Sequence, residues 1–294
     1  MSISAKEVKA LRDKTGVGMM DCKKALIECD GDMDKAADWL REKGLASAAK
    51  RAGRSAADGK VMSRIDDANH VAVIAEINCE TDFVAKTDGF SEFADGIMEH
   101  LLANKPKTLE ELDGQKYKTG ETVSEALKAV IAKTGENMKI SRFEIFEGGA
   151  DSGFSTYIHM GGKIGVILQA NVKGEAKDAE ELGRFLKDMC MQVTAANPMC
   201  ISPADFPADT LAKEKEIFAA QARESGKPEK IIDKIVEGRV RKLMDENCLL
   251  NQQYVKNDEL TVAKHLEATA KELGVEIEIE RFARYALGEA ADKD

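Results

Sequence analysis

The sequence predicts an α+β protein in three parts: a small helical bundle, a duplicated α+β core, and an antiparallel helical hairpin inserted in the second copy. Three observations carry this reading. Apolar residues recur at helical spacing up to Gly44, short strand-like runs take over after Gly59, and residues 122–143 reappear, 139 positions later, as residues 261–282. At 294 residues the chain is long enough for two or three domains of about 100–200 residues each.

The bundle is read first. Ser4 followed by Glu7 has the spacing of a capping box, and Ala5, Val8 and Leu11 mark one helical face. Thr15-Gly16-Val17-Gly18 breaks that helix. A second carries Met19, Met20, Cys22, Ala25, Leu26 and Cys29, and Asp30-Gly31-Asp32 supplies a turn and a cap. Met33, Ala36, Ala37, Trp39 and Leu40 stripe a third, expected to end at Gly44. Three short helices of this size suggest a ubiquitin-associated-type (UBA-like) domain. Ala46–Gly59, with Lys50, Arg51 and Arg54, reads as a partly helical linker whose basic residues are either solvated or turned to an acidic partner. The expected units are residues 1–54 (bundle and linker), 55–150 (first half of the core) and 151–294 (second half).

In the first half, strands are expected at Val61–Ile65 and Val71–Ile77, helices at Phe90–Leu102 and Thr122–Lys133, and a strand at Met138–Phe146. The second half repeats the order: strands at Thr156–Met160 and Ile164–Val172, helices at Ala179–Ala195 and Thr261–Leu273, and a strand at Val275–Phe282. Thr122/Thr261, Gly135/Gly274, Arg142/Arg281 and Phe143/Phe282 are among the identities at the 139-residue spacing. The earlier strands align at a spacing of 93, as in Val73/Val166 and Asn78/Asn171. The difference between the two spacings is an insertion near 203–249. There Asp209 and Thr210 are expected to cap a helix from Leu211 to Ser225, and Pro228 to open a second striped by Ile232, Val236, Val240 and Leu243. The narrow seams and charged outer faces suit a projecting hairpin whose apolar seam is used up within itself.

Composition narrows the function. There are 53 acidic and 43 basic residues, a net charge of −10, which argues against non-specific binding to nucleic acid or anionic membrane. Aromatic residues are 5%, too few for base-stacking platforms. The six cysteines, at 22, 29, 79, 190, 200 and 248, form no CxxC pair and read as unclustered thiols of a reducing compartment, with no metal site. The longest charge-free run, Met189–Ala204, is too short to span a bilayer, and Glu7 and Asp13 are unlike a targeting leader, so a cytoplasmic location is expected. No phosphate-binding glycine loop, GxSxG or HExxH occurs. A Cys79–His159 nucleophilic pair would require proximity that the sequence does not show. The expectation is a protein that is not an enzyme and carries no cofactor.

One segment departs from the duplication. The first half reads Cys79-Glu80-Thr81-Asp82-Phe83-Val84-Ala85 after its strand, where the second has the small and polar Val172-Lys173-Gly174-Glu175-Ala176. Two readings stand. Thr81 or Asp82 caps the next helix while a buried Phe83 staples it to the sheet, or Phe83 and Val84 form an apolar plug for a partner's pocket.

Two long motifs, Leu11-Arg12-Asp13-Lys14-Thr15-Gly16-Val17-Gly18-Met19-Met20-Asp21-Cys22-Lys23-Lys24-Ala25-Leu26 and Glu76-Ile77-Asn78-Cys79-Glu80-Thr81-Asp82-Phe83-Val84-Ala85-Lys86, closely resemble the bacterial elongation factor Ts family. Ala56-Ala57-Asp58-Gly59 and Val236-Glu237-Gly238-Arg239 are similar to it as well. The resemblance covers essentially the whole chain. It implies a guanine nucleotide exchange factor for elongation factor Tu, GDP-bound or nucleotide-free, with Thr81, Asp82, Phe83 and Val84 intruding near the partner's Mg²⁺ site. Nucleotide and metal would then be held by the partner. It also implies docking of the N-terminal module, with Lys23 a candidate contact, and a partner-facing place for His159; a solvated lysine and a turn histidine are the alternatives. A dimer of heterodimers is left open. The competing reading is a non-catalytic UBA-like adaptor or scaffold.

Overall fold

The computed structural model describes residues 3–289, and of residues 45–47 and 49 the backbone alone. Helices α1 (Ala5–Thr15), α2 (Met19–Glu28) and α3 (Met33–Arg51) open the chain. The Ser4–Glu7 capping box forms, with Ser4 N donating to Glu7 Oε2 at 2.7 Å and Glu7 N to Ser4 Oγ at 3.3 Å. Gly16 ends α1 in the left-handed conformation (φ 70°), which a side chain would strain. Val8, Leu11, Cys22, Ala25, Leu26, Ala36 and Leu40 make the small core. Ala5, Met19 and Met20 are not part of it: all three are exposed, because Cys22, Ala25 and Leu26 already turn the inner face of α2 toward its neighbours.

Gly44 does not end α3, contrary to expectation. The helix runs on to Arg51, so the first six residues of the expected linker, 46–51, are helical. Alanines 46, 48 and 49 favour continuation, and Gly44 serves a different purpose. A Cβ there would lie 2.8 Å from the Cβ of Ala132, so the missing side chain lets α3 approach helix 123–134 of the core.

The first half continues with β1 (Asp58–Asp66), β2 (Val71–Cys79), α4 (Asp82–Ala85), α5 (Asp88–Asn104), α6 (Leu109–Gly114), α7 (Val123–Thr134) and β3 (Met138–Glu147). The second follows with β4 (Ser152–His159), β5 (Ile164–Lys173) and α8 (Ala179–Ala196). After a 3-10 turn (Pro203–Asp205) come α9 (Ala208–Glu224) and α10 (Glu229–Asn247), then β6 (Gln253–Tyr254), β7 (Asn257–Thr261), α11 (Val262–Leu273) and β8 (Glu276–Ala286). Each half builds one antiparallel sheet with its central strand second in order, β1-β2-β3 and β4-β5-β8. The protein is thus α+β.

Both faces of β2 are buried along its length, which is why it is a nearly unbroken apolar run. Val71, Val73, Ala75 and Ile77 pack toward α5 and α7, while Ala72 and Ile74 face the other sheet with Ile167, Phe146, Ala283 and Tyr285. Val166, Leu168 and Ala170 of β5 pack toward α8 and α11. The layers therefore run helix, sheet, sheet, helix.

The halves are joined reciprocally. Arg142 Nε donates to Glu76 Oε2 at 2.7 Å within its own sheet, its Nη2 reaches Ala286 O at 3.0 Å, and its guanidinium lies 4.0 Å from the Tyr285 ring centre. Arg281 mirrors this: Nε to Gln169 Oε1 at 2.8 Å, Nη2 to Glu147 O at 3.1 Å, and the Phe146 ring at 4.1 Å. Every member has its repeat mate in the other set. The strand irregularities repeat too, at Glu76/Ile77 and at Gln169/Ala170.

The arm differs in detail from expectation. Its first helix starts at Ala208, directly after Pro207, rather than at Leu211. Arg239 lies over Phe218 across the hairpin. The seam is not confined to the hairpin: Met244, Cys248, Leu211 and Val240 share a cluster with Cys200 and Phe206 at its root. Closing strand β8 extends past Phe282 to Ala286, since Ala283 and Tyr285 are needed between the sheets.

The two arginines are equivalent in place but not in cost. Glu76 is fully buried, so Arg142→Ala leaves an unpaired carboxylate in the core and should cost about 3–5 kcal/mol. Arg281→Ala leaves only neutral Gln169 and should cost about 1–3 kcal/mol. Denaturant unfolding of both variants measures the difference.

Candidate functional site

The segment after β2 forms a single helical turn, α4, fixed from three sides. Thr81 caps it, its Oγ1 accepting from Val84 N at 3.4 Å. Glu136, in the turn between α7 and β3, accepts from Thr81 N at 3.0 Å and from Thr81 Oγ1 at 2.7 Å. In return Glu80 accepts from Asn137 N at 2.6 Å and pairs with Arg54 at 3.4 Å, while Asn137 Nδ2 donates to Arg54 O at 2.7 Å. The loop, the α7–β3 turn and the chain leaving α3 are thus cross-braced. Glu80 is held below the usual carboxylate range, first by the Asn137 N–H and then by Arg54. Its contribution is therefore present above about pH 4.3 and is lost as pH falls through the lowered value.

Within this brace the four candidate residues take different places. Thr81 is a half-buried cap, and Asp82 is at the first turn, paired with Lys86 at 2.6 Å. Val84 packs against the core of the first half and Ala85 is buried. Phe83 is 79% exposed. The expected cap therefore forms at Thr81, while the expected staple fails: the chain does not bury the Phe83 ring, and Val84 and Ala85 turn inward instead. A one-turn helix has only one inward side, and Val84 and Ala85 occupy it.

The β4–β5 turn lies at the same end of the sheets. Asp58 faces Cys79 across β1 and β2, and Lys163 Nζ reaches Asp58 Oδ1 at 2.9 Å. Gly162 O accepts from Val61 N at 2.8 Å. Gly161 and Gly162 both have positive φ, which makes the turn tight. It exposes Met160 (72%) and part of Ile158. His159 ends β4 half-buried, its Nδ1 3.1 Å from the Tyr157 hydroxyl. Lys23 is an exposed residue on α2, a separate element, with no recorded bond to the loop.

Cys79 and His159 make no pair. Cys79 Sγ donates to Thr81 O at 3.1 Å, and burial, reinforced by Glu136, pushes its thiol up to about 11. Among the described residues no group of three or more His, Cys, Asp or Glu side chains is placed to hold a metal ion, and no helix is long and apolar enough to cross a membrane.

Glu136 was missed by sequence reasoning, although a signal existed. Its repeat mate is Val275, and the mate of the loop is Gly174, so loop and latch depart from the duplication together. Glu136→Ala should speed amide exchange at Val84–Lys86 while costing about 1–3 kcal/mol globally. Exchange at α4 equal to wild type would mean the latch holds nothing. Iodoacetamide at neutral pH should modify half-buried Cys29 well before Cys79, which peptide mapping reads directly.

The chain is similar in sequence to known proteins over nearly its whole length. The family model described as "Elongation factor TS" matches residues 80–289, and "Elongation factor Ts, mitochondrial, N-terminal" matches residues 1–51. Elongation factor Ts of Clostridium botulinum (strain Alaska E43) is 46% identical over 292 residues, covering 99% of this chain and 95% of its own length. That of Trichlorobacter lovleyi is 46% identical, covering 100% and 95%, and that of Clostridium novyi 48%, covering 99% and 94%.

Proposed function

The chain belongs to the elongation factor Ts family of translation elongation factors, and from that premise we propose that it is the guanine nucleotide exchange factor for elongation factor Tu. The observation that carries the proposal is Phe83: a large apolar side chain left exposed on a braced helical turn, in a loop that the second half lacks. In this reading Phe83, with Asp82 and the Thr81 cap beneath it, enters the partner beside its Mg²⁺ site. Val84 stays behind as the anchor. GDP and Mg²⁺ are bound by the partner and leave from it.

Magnitudes limit what Phe83 can do alone. Burying one Phe is worth about 1.5–3 kcal/mol. A roughly 10⁴-fold faster GDP release requires about 5.5 kcal/mol. The remainder must come from other surfaces that bind the nucleotide-free partner best, because a ligand shifts an equilibrium only by its differential affinity. The exposed Met160 beside the same sheet end, and Lys23 on α2, are the candidates; His159 would position the β4–β5 turn.

The experiment is stopped-flow release of fluorescent GDP from elongation factor Tu. Wild type should accelerate release, and Phe83→Ala should lower the saturating rate roughly ten- to a hundredfold. Because Phe83 is exposed, the same variant should unfold within about 0.5 kcal/mol of wild type. No acceleration by wild type sinks the proposal. Full activity of Phe83→Ala would remove Phe83 from the exchange element.

A further inference from the structure

Cys200 and Cys248 lie outside the candidate site, and the structure brings them together from positions 48 residues apart. Their Sγ atoms are 3.5 Å apart. Their backbones form an isolated parallel bridge, supported by Leu249 N to Cys200 O at 2.9 Å and Met199 N to Asn247 O at 2.8 Å. That brings the two Cα atoms into the range a disulfide spans, about 4.4–6.8 Å. Cys200 leads from α8 into the arm, and Cys248 follows the last residue of α10. The pair therefore sits at both roots of the hairpin. The remaining cysteines have no such partner among the described residues: Cys79 bonds to Thr81 O, and Cys22 to Val17 O.

We propose that Cys200 and Cys248 are a reversible oxidation site, at which a hydroperoxide closes a disulfide across the base of the arm. Cys200 is the entry point, because it keeps 8% of its surface exposed while Cys248 keeps none. Its sulfur attacks the peroxide, giving a sulfenic acid and an alcohol or water. The Cys248 sulfur then displaces the hydroxyl, forming the S–S bond and releasing water. Each sulfur loses one electron, and the peroxide takes up both. Two thiols reform the starting state by exchange, leaving as their own disulfide. The reaction is slow at neutral pH, because burial and the carboxylates of Asp205 and Asp245 keep the pair as thiols, Cys248 up to about 12. Slowness makes the pair respond to sustained oxidation rather than to passing exposure. Once closed, the bond ties the entry and exit of the arm and fixes its root against Phe206 and Met244.

The test treats the full chain with hydrogen peroxide, caps free thiols in denaturant, and maps peptides by mass spectrometry without reductant. Expected is a 200–248 linked peptide that dithiothreitol reverses, absent in Cys200→Ser and in Cys248→Ser. The closed loop should raise the melting temperature by roughly 5–10 °C in wild type alone. Both variants should melt cooperatively before oxidation. If peroxide instead leaves Cys200 and Cys248 as free thiols, or carries Cys200 to sulfinic acid with Cys248 unpaired, the proposal is wrong. Should either serine variant fail to fold, wild type with dithiothreitol added before the peroxide serves as the control; a 200–248 link that persists there overturns the assignment.

Discussion

Two arginines hold the halves of this protein together, each anchored in one sheet and laid on an aromatic ring of the other. Arg142 is fixed by Glu76 and covers Tyr285; Arg281 is fixed by Gln169 and covers Phe146. Each also caps the end of the opposite sheet through a carbonyl, Ala286 or Glu147. The geometry explains why β2 has a charge in its otherwise apolar run. A fully buried glutamate is tolerated only with a guanidinium and further donors, here Asn78 Nδ2 at 3.0 Å and Gly288 N at 2.7 Å. Because both sheets contribute to both clasps, neither sheet can shift without breaking them. The sheet ends, and the loops they carry, are held in one frame.

The candidate site lies where the duplication is broken. The second half passes from β5 to α8 through Gly174 (φ 103°) and has Val275 in the turn after α11. The first half has a capped turn in place of the glycine and a carboxylate in place of the valine, and the two are bonded to each other. Such a brace is needed because Phe83 receives no stabilisation from its own chain. An exposed ring on a loose loop would collapse onto the nearest apolar surface. Held on α4, it remains available, and its roughly 1.5–3 kcal/mol of burial can be gained in a complex. The same brace connects to Arg54 and the end of α3, so the N-terminal helices and the loop share one support.

Local patterns were the legible part. The Ser4 capping box, the strands and the repeat were read from local patterns, and the structure has each of them. Tertiary approach was not legible. Gly44 looked like a helix end because a glycine needed for contact with Ala132 has the same letter as one needed for a left-handed turn. Phe83 left two readings open because a large apolar side chain that stays exposed cannot be told by type from one kept for a core. Cys200 and Cys248 looked unclustered because only the folding back of the arm brings them to 3.5 Å.

The central claim is that Phe83, presented by a rigid frame, is the group that enters elongation factor Tu. A photoreactive benzoylphenylalanine at position 83 tests it most directly, since the side chain there is exposed and the replacement fits the free protein. Irradiation with nucleotide-free elongation factor Tu should give a cross-link within the partner's nucleotide-binding domain, beside its Mg²⁺ site. Excess GDP with Mg²⁺ should suppress it. A cross-link elsewhere on the partner, or none from position 83 while position 23 links well, would contradict the account.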